Sequence, residues 1–198
     1  MSDALGVALV GLGVGEAHAR VVSALSKECR LRWLVDHDRK RAARLSAELG
    51  GSPGSLGEAL ADPQTGLVVV ASYDHDHAGQ VVQCFGAGKH VFVEKPLCRT
   101  RAELAAIQGA WRPDLHMSAN LVLRAAPLYR ELGVRVRQGG LGQVYALDGE
   151  YLYGRLHKIT EGRRAMVPEY SVLQGGGIHM LDLLVDLAGE RPNAVTAT

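Results

Sequence analysis

Three glycines stand within five residues, directly after a short apolar run near the start of the chain. The apolar run is Leu5–Val10, the glycine segment reads Gly11-Leu12-Gly13-Val14-Gly15, and a helical pattern follows to about residue 25. A glycine permits a tight turn between strand and helix and lets the backbone approach a bound anion closely. This order of elements predicts a βαβ unit that binds the pyrophosphate of a dinucleotide at a helix N-terminus.

The glycine spacing departs by one residue from the usual pattern of such a turn. The third glycine is Gly15, whereas the usual spacing would place it where Glu16 stands. Two interpretations are open: the turn is one residue shorter, which we favour because the flanking strand and helix fit, or the glycines serve only backbone geometry. The residues predicted to bind the cofactor in this turn are Gly11, Leu12, Gly13, Val14 and Gly15.

An acidic residue ends the second apolar run. Asp36 comes 21 residues after Gly15, where a carboxylate can accept hydrogen bonds from the adenosine ribose and repel a 2′-phosphate. His37 is its neighbour and a second candidate for contact with the cofactor. The basic residues that follow could pair with a 2′-phosphate or form a solvated helix face. We therefore predict NAD as the cofactor in preference to NADP.

Four short Val- and Leu-rich runs alternate with helical patterns in the first 120 residues, at Leu5–Val10, 31–35, 67–71 and 91–93. Near-continuous apolar runs are typical of parallel strands that are covered on both faces. Asp38 is a candidate N-cap of one helical pattern, and Thr100 with Glu103 has the capping-box spacing before another. These features predict an α/β fold, with a doubly wound parallel sheet of the Rossmann type over residues 1–119.

The pattern changes near residue 120. A predicted helix ends near residue 139, and a long aromatic-rich strand is predicted over 143–153. An irregular basic stretch, a glycine run, an apolar helix through residue 187 and a strand starting at residue 194 follow. Two strands and two helices make a poor independent core. We therefore predict an incomplete α+β second domain over residues 120–198.

Ionisable side chains cluster after the third apolar run, where residues 72–77 read Ser-Tyr-Asp-His-Asp-His. The carboxyl end of a parallel strand is the edge at which open α/β sheets bind ligands. Side chains that alternate in direction along a loop seldom converge on one ion, so no metal is predicted. We expect Ser72, Tyr73 and His77 to border the nicotinamide half of the cofactor or to cap the next helix.

The composition of the chain limits the classes of partner that it can bind. A net charge of +1 offers no broad basic face for nucleic acid. No apolar run reaches the roughly 18 residues of a membrane span, and the N-terminus has no signal-peptide pattern, so we expect a cytoplasmic protein. The three cysteines lack the spacing of a zinc site or a disulfide framework.

Residues 88–96 read Gly-Lys-His-Val-Phe-Val-Glu-Lys-Pro. With them, the chain resembles the oxidoreductase family named for glucose-fructose oxidoreductase, inositol dehydrogenase and the rhizopine-catabolism protein (Gfo/Idh/MocA), whose signature is Glu94-Lys95-Pro96. The resemblance covers essentially the whole chain, although family chains continue well beyond residue 198. Further matches are His18, Asp74 where the family usually has Asn, Asn120, Arg124, Pro127, and residues 142–144 and 177–182.

The resemblance implies hydride transfer between NAD and a secondary hydroxyl or keto group of a sugar, cyclitol or nucleotide-sugar. It implies that Lys95 binds the substrate hydroxyl and that His179 is the acid/base, with Glu94 and Lys95 beside the cofactor. By position, it also implies that Asn120 and Arg124 contact the substrate. It further implies a Lys-Pro bond that is often cis and, if the family's following sheet is present, a homo-oligomer.

Two departures from the family pattern leave alternatives open. Many members carry an Asp four residues before the His, where this chain has Gly175, so Asp182, Tyr170 and Tyr153 are candidates to orient the ring of His179. Family chains continue into an open sheet, so we expect either a piece of a longer protein or a truncated paralogue whose missing half comes from a partner. Two other functions stay open, the first because some relatives work this way and the second because of Gly175 and the short length. One is an NAD-using glycosidase or lyase with transient oxidation, and the other is a non-catalytic dinucleotide-binding sensor.

Overall fold

The computed structural model describes residues 4–154, 157–161, 165 and 170–196. The chain divides into two compact units, Met1–Asn120 and Leu121–Thr198. Unit 1 is built from strands that alternate with helices. Its elements are β1 (Leu5–Val10), α1 (Gly15–Ala24), β2 (Cys29–Val35), α2 (Arg39–Leu49), β3 (Ser52–Gly54), α3 (Leu56–Ala61), β4 (Leu67–Val70), α4 (His77–Gly86), β5 (His90–Val93), α5 (Arg101–Ala110) and β6 (Met117–Ala119).

The six strands of unit 1 form one sheet in the order β3-β2-β1-β4-β5-β6. Every neighbouring pair is parallel. The chain builds the sheet outward from β1 to β3, then returns to place β4 on the other side of β1. This reversal between β1 and β4 is the topological switch point beside which open α/β sheets bind ligands. The predicted doubly wound parallel sheet is confirmed.

The residues of strand β1 are almost all apolar because both of its faces are buried. Val7 and Leu9 pack into one hydrophobic cluster, and Ala8 and Val10 pack into another. Because successive side chains of a strand point to opposite faces, both faces of the sheet are covered. None of the four side chains is more than 3% exposed.

Capping side chains fix where two helices begin. Asp38 accepts hydrogen bonds from the backbone N–H groups of Lys40 and Arg41 at the start of α2. Thr100 and Glu103 form a reciprocal capping box at the start of α5. Both caps were predicted from the sequence, and both satisfy N–H groups that the first helical turn leaves without a partner.

The regular elements among the described residues of unit 2 are all helical. A 3-10 turn over Val122–Ala125 leads into α6 (Pro127–Arg137), and α7 (His157–Thr160) is one short turn. A π-helical turn over Leu173–Gly177 then runs directly into α8 (Ile178–Ala188). The helix predicted to run through residue 187 is thus present, and the glycine run forms the turn that leads into it.

The predicted strand over 143–153 is wrong, because these residues form no strand. A strand requires a hydrogen-bonded neighbour, and none of the residues that the structure describes pairs with this segment. The strand predicted from residue 194 is likewise absent from residues 194–196, while 197 and 198 lie outside the described residues. Residues 155, 156 and 162–164 of the predicted basic stretch also lie outside them.

Candidate functional site

The turn after β1 lies where three strands end. Gly11 donates its N–H to the carbonyl of Val35 at 2.8 Å, and Ala71 donates to the carbonyl of Val10 at 2.7 Å. Gly11 has a φ of +82°. A Cβ at this position would lie 2.5 Å from both the Ala71 oxygen and the Ser72 nitrogen. Only glycine therefore allows the first turn of the fold to pass against the end of β4.

Helix α1 begins at the third glycine. Val14 is its N-cap residue, and no side chain in the described part of the chain caps this end. A Cβ at Gly15 would lie 3.3 Å from the Cβ of Ala71, closer than most side-chain contacts. The third glycine thus keeps the helix close to the sheet, which supports the shortened turn. The first N–H groups of α1 remain available to an anion.

A carboxylate beside the turn is held by backbone groups. Oδ2 of Asp36 accepts from the N–H of Leu12 at 2.6 Å, and Oδ1 accepts from the N–H of Asp38 at 2.8 Å. A guanidinium nitrogen of Arg41 lies 3.6 Å from Oδ2. The neighbouring side chain of His37 is exposed. The structure therefore places Asp36 against the glycine turn, and it also places a cation next to this carboxylate.

Glu16 adds a second negative charge at the start of α1. It pairs with Arg20 at 2.8 Å and with Arg44 at 2.9 Å. The hydrogen bond from Arg20, followed by that from Arg44, lowers the pKa of Glu16. These arginines neutralise a carboxylate that would otherwise repel an anion at this helix end.

The turn after β4 presents one exposed ring pair and one buried ring. Tyr73 stacks on His75 with ring centroids 5.7 Å apart. The Ser72 hydroxyl donates to the side-chain oxygen of Gln80 at 2.7 Å. His77, at the start of α4, is only 1% exposed.

His77 connects this turn to the next strand end. Its Nδ1 donates to the carbonyl of Pro96 at 2.7 Å, and its Nε2 faces the carbonyl of Ser72 at 3.4 Å. The structure thus places the buried ring of His77 beneath the Lys95-Pro96 loop, at the first position of α4. Its contact with the cofactor stays a prediction. That Lys95–Pro96 peptide is cis, as the resemblance implied.

Glu94 is the centre of a polar cluster at the end of β5. Its Oε1 accepts from the amide of Asn120 at 2.6 Å and lies 2.9 Å from Nε2 of His18. Burial opposes ionisation of Glu94, but the hydrogen bonds from His18 and Asn120 outweigh burial and lower its pKa. The ring of His18 also meets Phe92 edge-on, with centroids 5.5 Å apart. Asn120, predicted to contact the substrate, therefore directs its amide nitrogen to Glu94.

In unit 2, Arg124 is anchored by α8. Its Nε and Nη2 donate to the two oxygens of Asp182 at 2.7 Å each, and Asp186 lies 3.5 Å from Nη1. The hydrogen bond to Asp182 raises the pKa of Arg124. The sequence predicted a substrate contact for Arg124, whereas in the structure its guanidinium group pairs with a carboxylate on α8. His179 is the second residue of the same helix.

The predicted site residues thus fall into distinct groups. In unit 1, the glycine turn meets Asp36, His77 meets the loop of Lys95, and Glu94 meets Asn120. His179 and Arg124 belong to unit 2. Among the described residues, no group of three or more His, Cys, Asp or Glu could hold a metal ion, and no helix is long and apolar enough to cross a membrane.

Sequence reasoning missed Asp62, which lies outside the site. Its carboxylate accepts from the indole of Trp33 at 2.8 Å and from Nε of Arg32 at 3.0 Å. The hydrogen bond from Trp33, together with those from the Gln64 N–H and Arg32, lowers the pKa of Asp62 to about 2. No local pattern could have revealed these contacts, because Arg32 and Trp33 lie 30 and 29 residues from Asp62 in sequence.

Comparison with known proteins places this geometry in a family. Residues 5–113 match the profile of the oxidoreductase family with an NAD-binding Rossmann fold. Inositol 2-dehydrogenase 2 from Saccharopolyspora erythraea is 28% identical over 98% of this chain and 56% of its own length.

Two solved structures share the fold. That of GenD2 from gentamicin A biosynthesis in complex with NAD is 28% identical, with a TM-score of 0.75, covering 96% of this chain and 55% of the other. That of scyllo-inositol dehydrogenase from Lactobacillus casei with bound NAD(H) and scyllo-inositol is 20% identical, with a TM-score of 0.81, covering 94% and 57%. This chain spans little more than half the length of each of these relatives. It belongs to the Gfo/Idh/MocA oxidoreductase family.

Proposed function

We propose that this chain carries the cofactor site and part of the substrate site of an NAD-dependent oxidoreductase that acts on a secondary hydroxyl or keto group of a cyclitol or sugar. The observation that carries the proposal is the turn at Gly11. A residue without a Cβ stands where β1, β2 and β4 end together, and helix α1 starts beside it. This is the arrangement that a dinucleotide pyrophosphate requires.

The chain's own residues fit the cofactor. The free N–H groups of the first turn of α1 can donate to the pyrophosphate, and the helix dipole favours its negative charge. Asp36 is fixed by the N–H groups of Leu12 and Asp38. Each oxygen of an ionised carboxylate has more than one acceptor site, so Asp36 can also accept from ribose hydroxyls.

The position of Asp36 favours NAD over NADP. Its carboxylate is held at the turn by two backbone N–H groups and would repel the 2′-phosphate of NADP. Arg41, 3.6 Å away, weakens that repulsion. We therefore expect a preference for NAD whose size depends on Arg41.

We assign the chemistry of the substrate hydroxyl to Lys95 and His179. Lys95 lies in a loop that the buried ring of His77 holds through the Pro96 carbonyl. Its ammonium would stabilise negative charge on the substrate oxygen. His179 would take up the hydroxyl proton in oxidation and return it in reduction, since imidazole side chains in general exchange protons near neutral pH. NAD, when bound, supplies the acceptor for the hydride that leaves the carbon.

The substrate class is inferred from relatives. One that aligns with nearly the whole chain is named an inositol 2-dehydrogenase, which supports a cyclitol or a sugar. We propose this carbohydrate class without naming a member. By the same resemblance, we expect the whole protein to form a homo-oligomer.

Thermal unfolding with NAD, NADH, NADP or no ligand tests the cofactor site. A ligand at 100 times its dissociation constant stabilises the native state by about 2.7 kcal/mol. We expect a shift with NAD and NADH that exceeds the shift with NADP. No shift with any of them would refute the site.

Turnover on a panel of cyclitols and sugars tests the reaction, with NADH followed by absorbance. NADH that accumulates with substrate indicates a dehydrogenase. Product without net NADH would instead indicate transient oxidation by a glycosidase or lyase. NAD binding without turnover would favour a dinucleotide-binding sensor.

A further inference from the structure

Two tyrosines pack onto the glycine turn that leads into α8. A Cβ at Gly175 would overlap the hydroxyl oxygen of Tyr170 and lie 2.7 Å from its Cζ. A Cβ at Gly176 would lie 2.6 Å from the hydroxyl oxygen of Tyr151. Both glycines are buried. The absence of side chains on this turn therefore makes the space that two phenol groups occupy.

The hydroxyl of Tyr170 stands over the turn that precedes His179. The π-helical turn over Leu173–Gly177 is continuous with α8. Residues four apart on a helix lie on one side of it, about one turn from each other. Gly175 and His179 have this spacing. The Tyr170 hydroxyl thus takes the place of a side chain on the side of the helix that carries His179.

The other candidates to orient His179 each have a different partner in the structure. Both oxygens of Asp182 accept from Arg124 at 2.7 Å. Tyr153 stacks on Tyr151 with ring centroids 6.3 Å apart. Tyr151 packs on Gly176, the next residue of the π-helical turn, which faces a different side of the helix from Gly175. Tyr170 is the candidate that the glycine turn places on the correct side.

We propose that Tyr170 is the positioning residue for His179, and that its hydroxyl fixes the tautomer and orientation of the imidazole. The inference rests on the proposed function, in which His179 handles the substrate proton. A phenol is neutral at pH 7 and can donate or accept one hydrogen bond. It therefore orients the ring without the negative charge of a carboxylate, and the partner of one ring nitrogen determines which nitrogen carries the proton.

Tyr170→Phe tests this proposal in the full chain because it removes a single oxygen. Ring-nitrogen NMR signals of histidine-labelled protein report the tautomer, and His179→Gln assigns the signal among the eight histidines. We expect a changed tautomer ratio for His179 and a kcat lower by roughly tenfold or more, with unchanged affinity for NAD. Tyr151→Phe is the matched control, and it should leave both the His179 signal and kcat unchanged.

A second measurement keeps the ring and the hydroxyl. Incorporation of 3-fluorotyrosine at position 170 makes the phenol a stronger donor, and it should shift the His179 signal in the folded protein. Unchanged His179 signals in both Tyr170→Phe and the fluorinated protein would overturn the proposal. The NMR result does not depend on cofactor binding, so the absence of any shift in Tm with NAD or NADH would refute the proposed function separately.

A double-mutant cycle tests the shared space directly. Gly175→Ala alone should destabilise the protein, because its methyl group collides with Tyr170. The same change in a Tyr170→Ala background should cost much less, and the difference is the coupling between the two positions. Equal losses of unfolding free energy in the two backgrounds would show that the phenol does not occupy this place.

Discussion

Alanine at Gly11 should damage the cofactor site far more than alanine at a matched glycine. Gly11 has a φ of +82°, and its Cβ would lie 2.5 Å from backbone atoms of Ala71 and Ser72. Gly88 has a φ of +70°, and its Cβ would meet only Nη2 of Arg112, at 3.7 Å. Both alanines carry the strain of a left-handed backbone, but only the alanine at Gly11 also collides with the backbone.

The two costs can be separated by magnitude. A side chain in the left-handed region costs about 1–2 kcal/mol, and the lower entropy of the unfolded chain offsets part of this. Gly88→Ala should therefore lower the unfolding free energy by about 1 kcal/mol. Overpacking against a fixed backbone adds about 1–3 kcal/mol. Gly11→Ala should therefore lower the unfolding free energy by about 3 kcal/mol in total. For a chain of this size, that loss corresponds to a Tm lower by about 9 °C, compared with about 3 °C for Gly88→Ala.

Thermal unfolding with and without saturating NAD measures both effects. The Gly88→Ala protein should keep the full NAD-dependent shift in Tm. The Gly11→Ala protein should lose most of that shift, because its turn must move by roughly 1 Å to relieve the collision, and displacements of this size disrupt positioned sites. Equal stability of the two variants, together with retained NAD binding by the Gly11→Ala protein, would refute the conclusion that the cofactor turn requires glycine at position 11.

Three further changes test the polar groups. Asp36→Ala should weaken NAD binding by roughly tenfold and narrow the preference over NADP, as measured by fluorescence titration of both cofactors. Because Trp33 and other donors lower the pKa of Asp62 from 3.8 to about 2, the native state should lose stability as pH falls from about 4 to 2, and Asp62→Asn should flatten this slope in denaturant titrations. Glu94→Gln keeps an acceptor oxygen but removes the negative charge that strengthens the bonds from two donors, and should cost about 1–3 kcal/mol of unfolding free energy. By contrast, Glu131→Gln on the exposed face of α6 should cost less than about 0.5 kcal/mol.

Local signals made much of unit 1 predictable. Three features depend only on residues close together in sequence: the apolar run of β1, the glycine turn, and the N-caps at Asp38 and Thr100. Their patterns can therefore be recognised without knowledge of the fold. The strand predicted over 143–153 shows the limit of such signals. Its composition suits a strand, but a strand forms only with a neighbour.

The polar contacts of the site could not be predicted in the same way. Glu94 meets His18 from 76 residues away and Asn120 from 26 residues away, and the order of the strands in the sheet decides that they meet. His77 follows a strand end, and the first turn of α4 directs its ring inward to Pro96. Residue type and spacing located these side chains at the correct edge, but only the packed sheet determines which of them face one another.

The satisfied hydrogen bonds around the glycine turn bear on how a cofactor would bind. Asp36 and Glu94 each hold two protein donors, and His77 fixes the loop of Lys95 from below. Groups that are already oriented lose little conformational entropy when a ligand arrives. The same contacts tie the ends of β2, β5 and β6 to their neighbours, so a change at any of them should alter stability and cofactor affinity together. A loss of NAD affinity larger than the loss of stability explains would therefore identify a direct contact, and we expect such an excess at Asp36, whose carboxylate has acceptor sites left for the ribose.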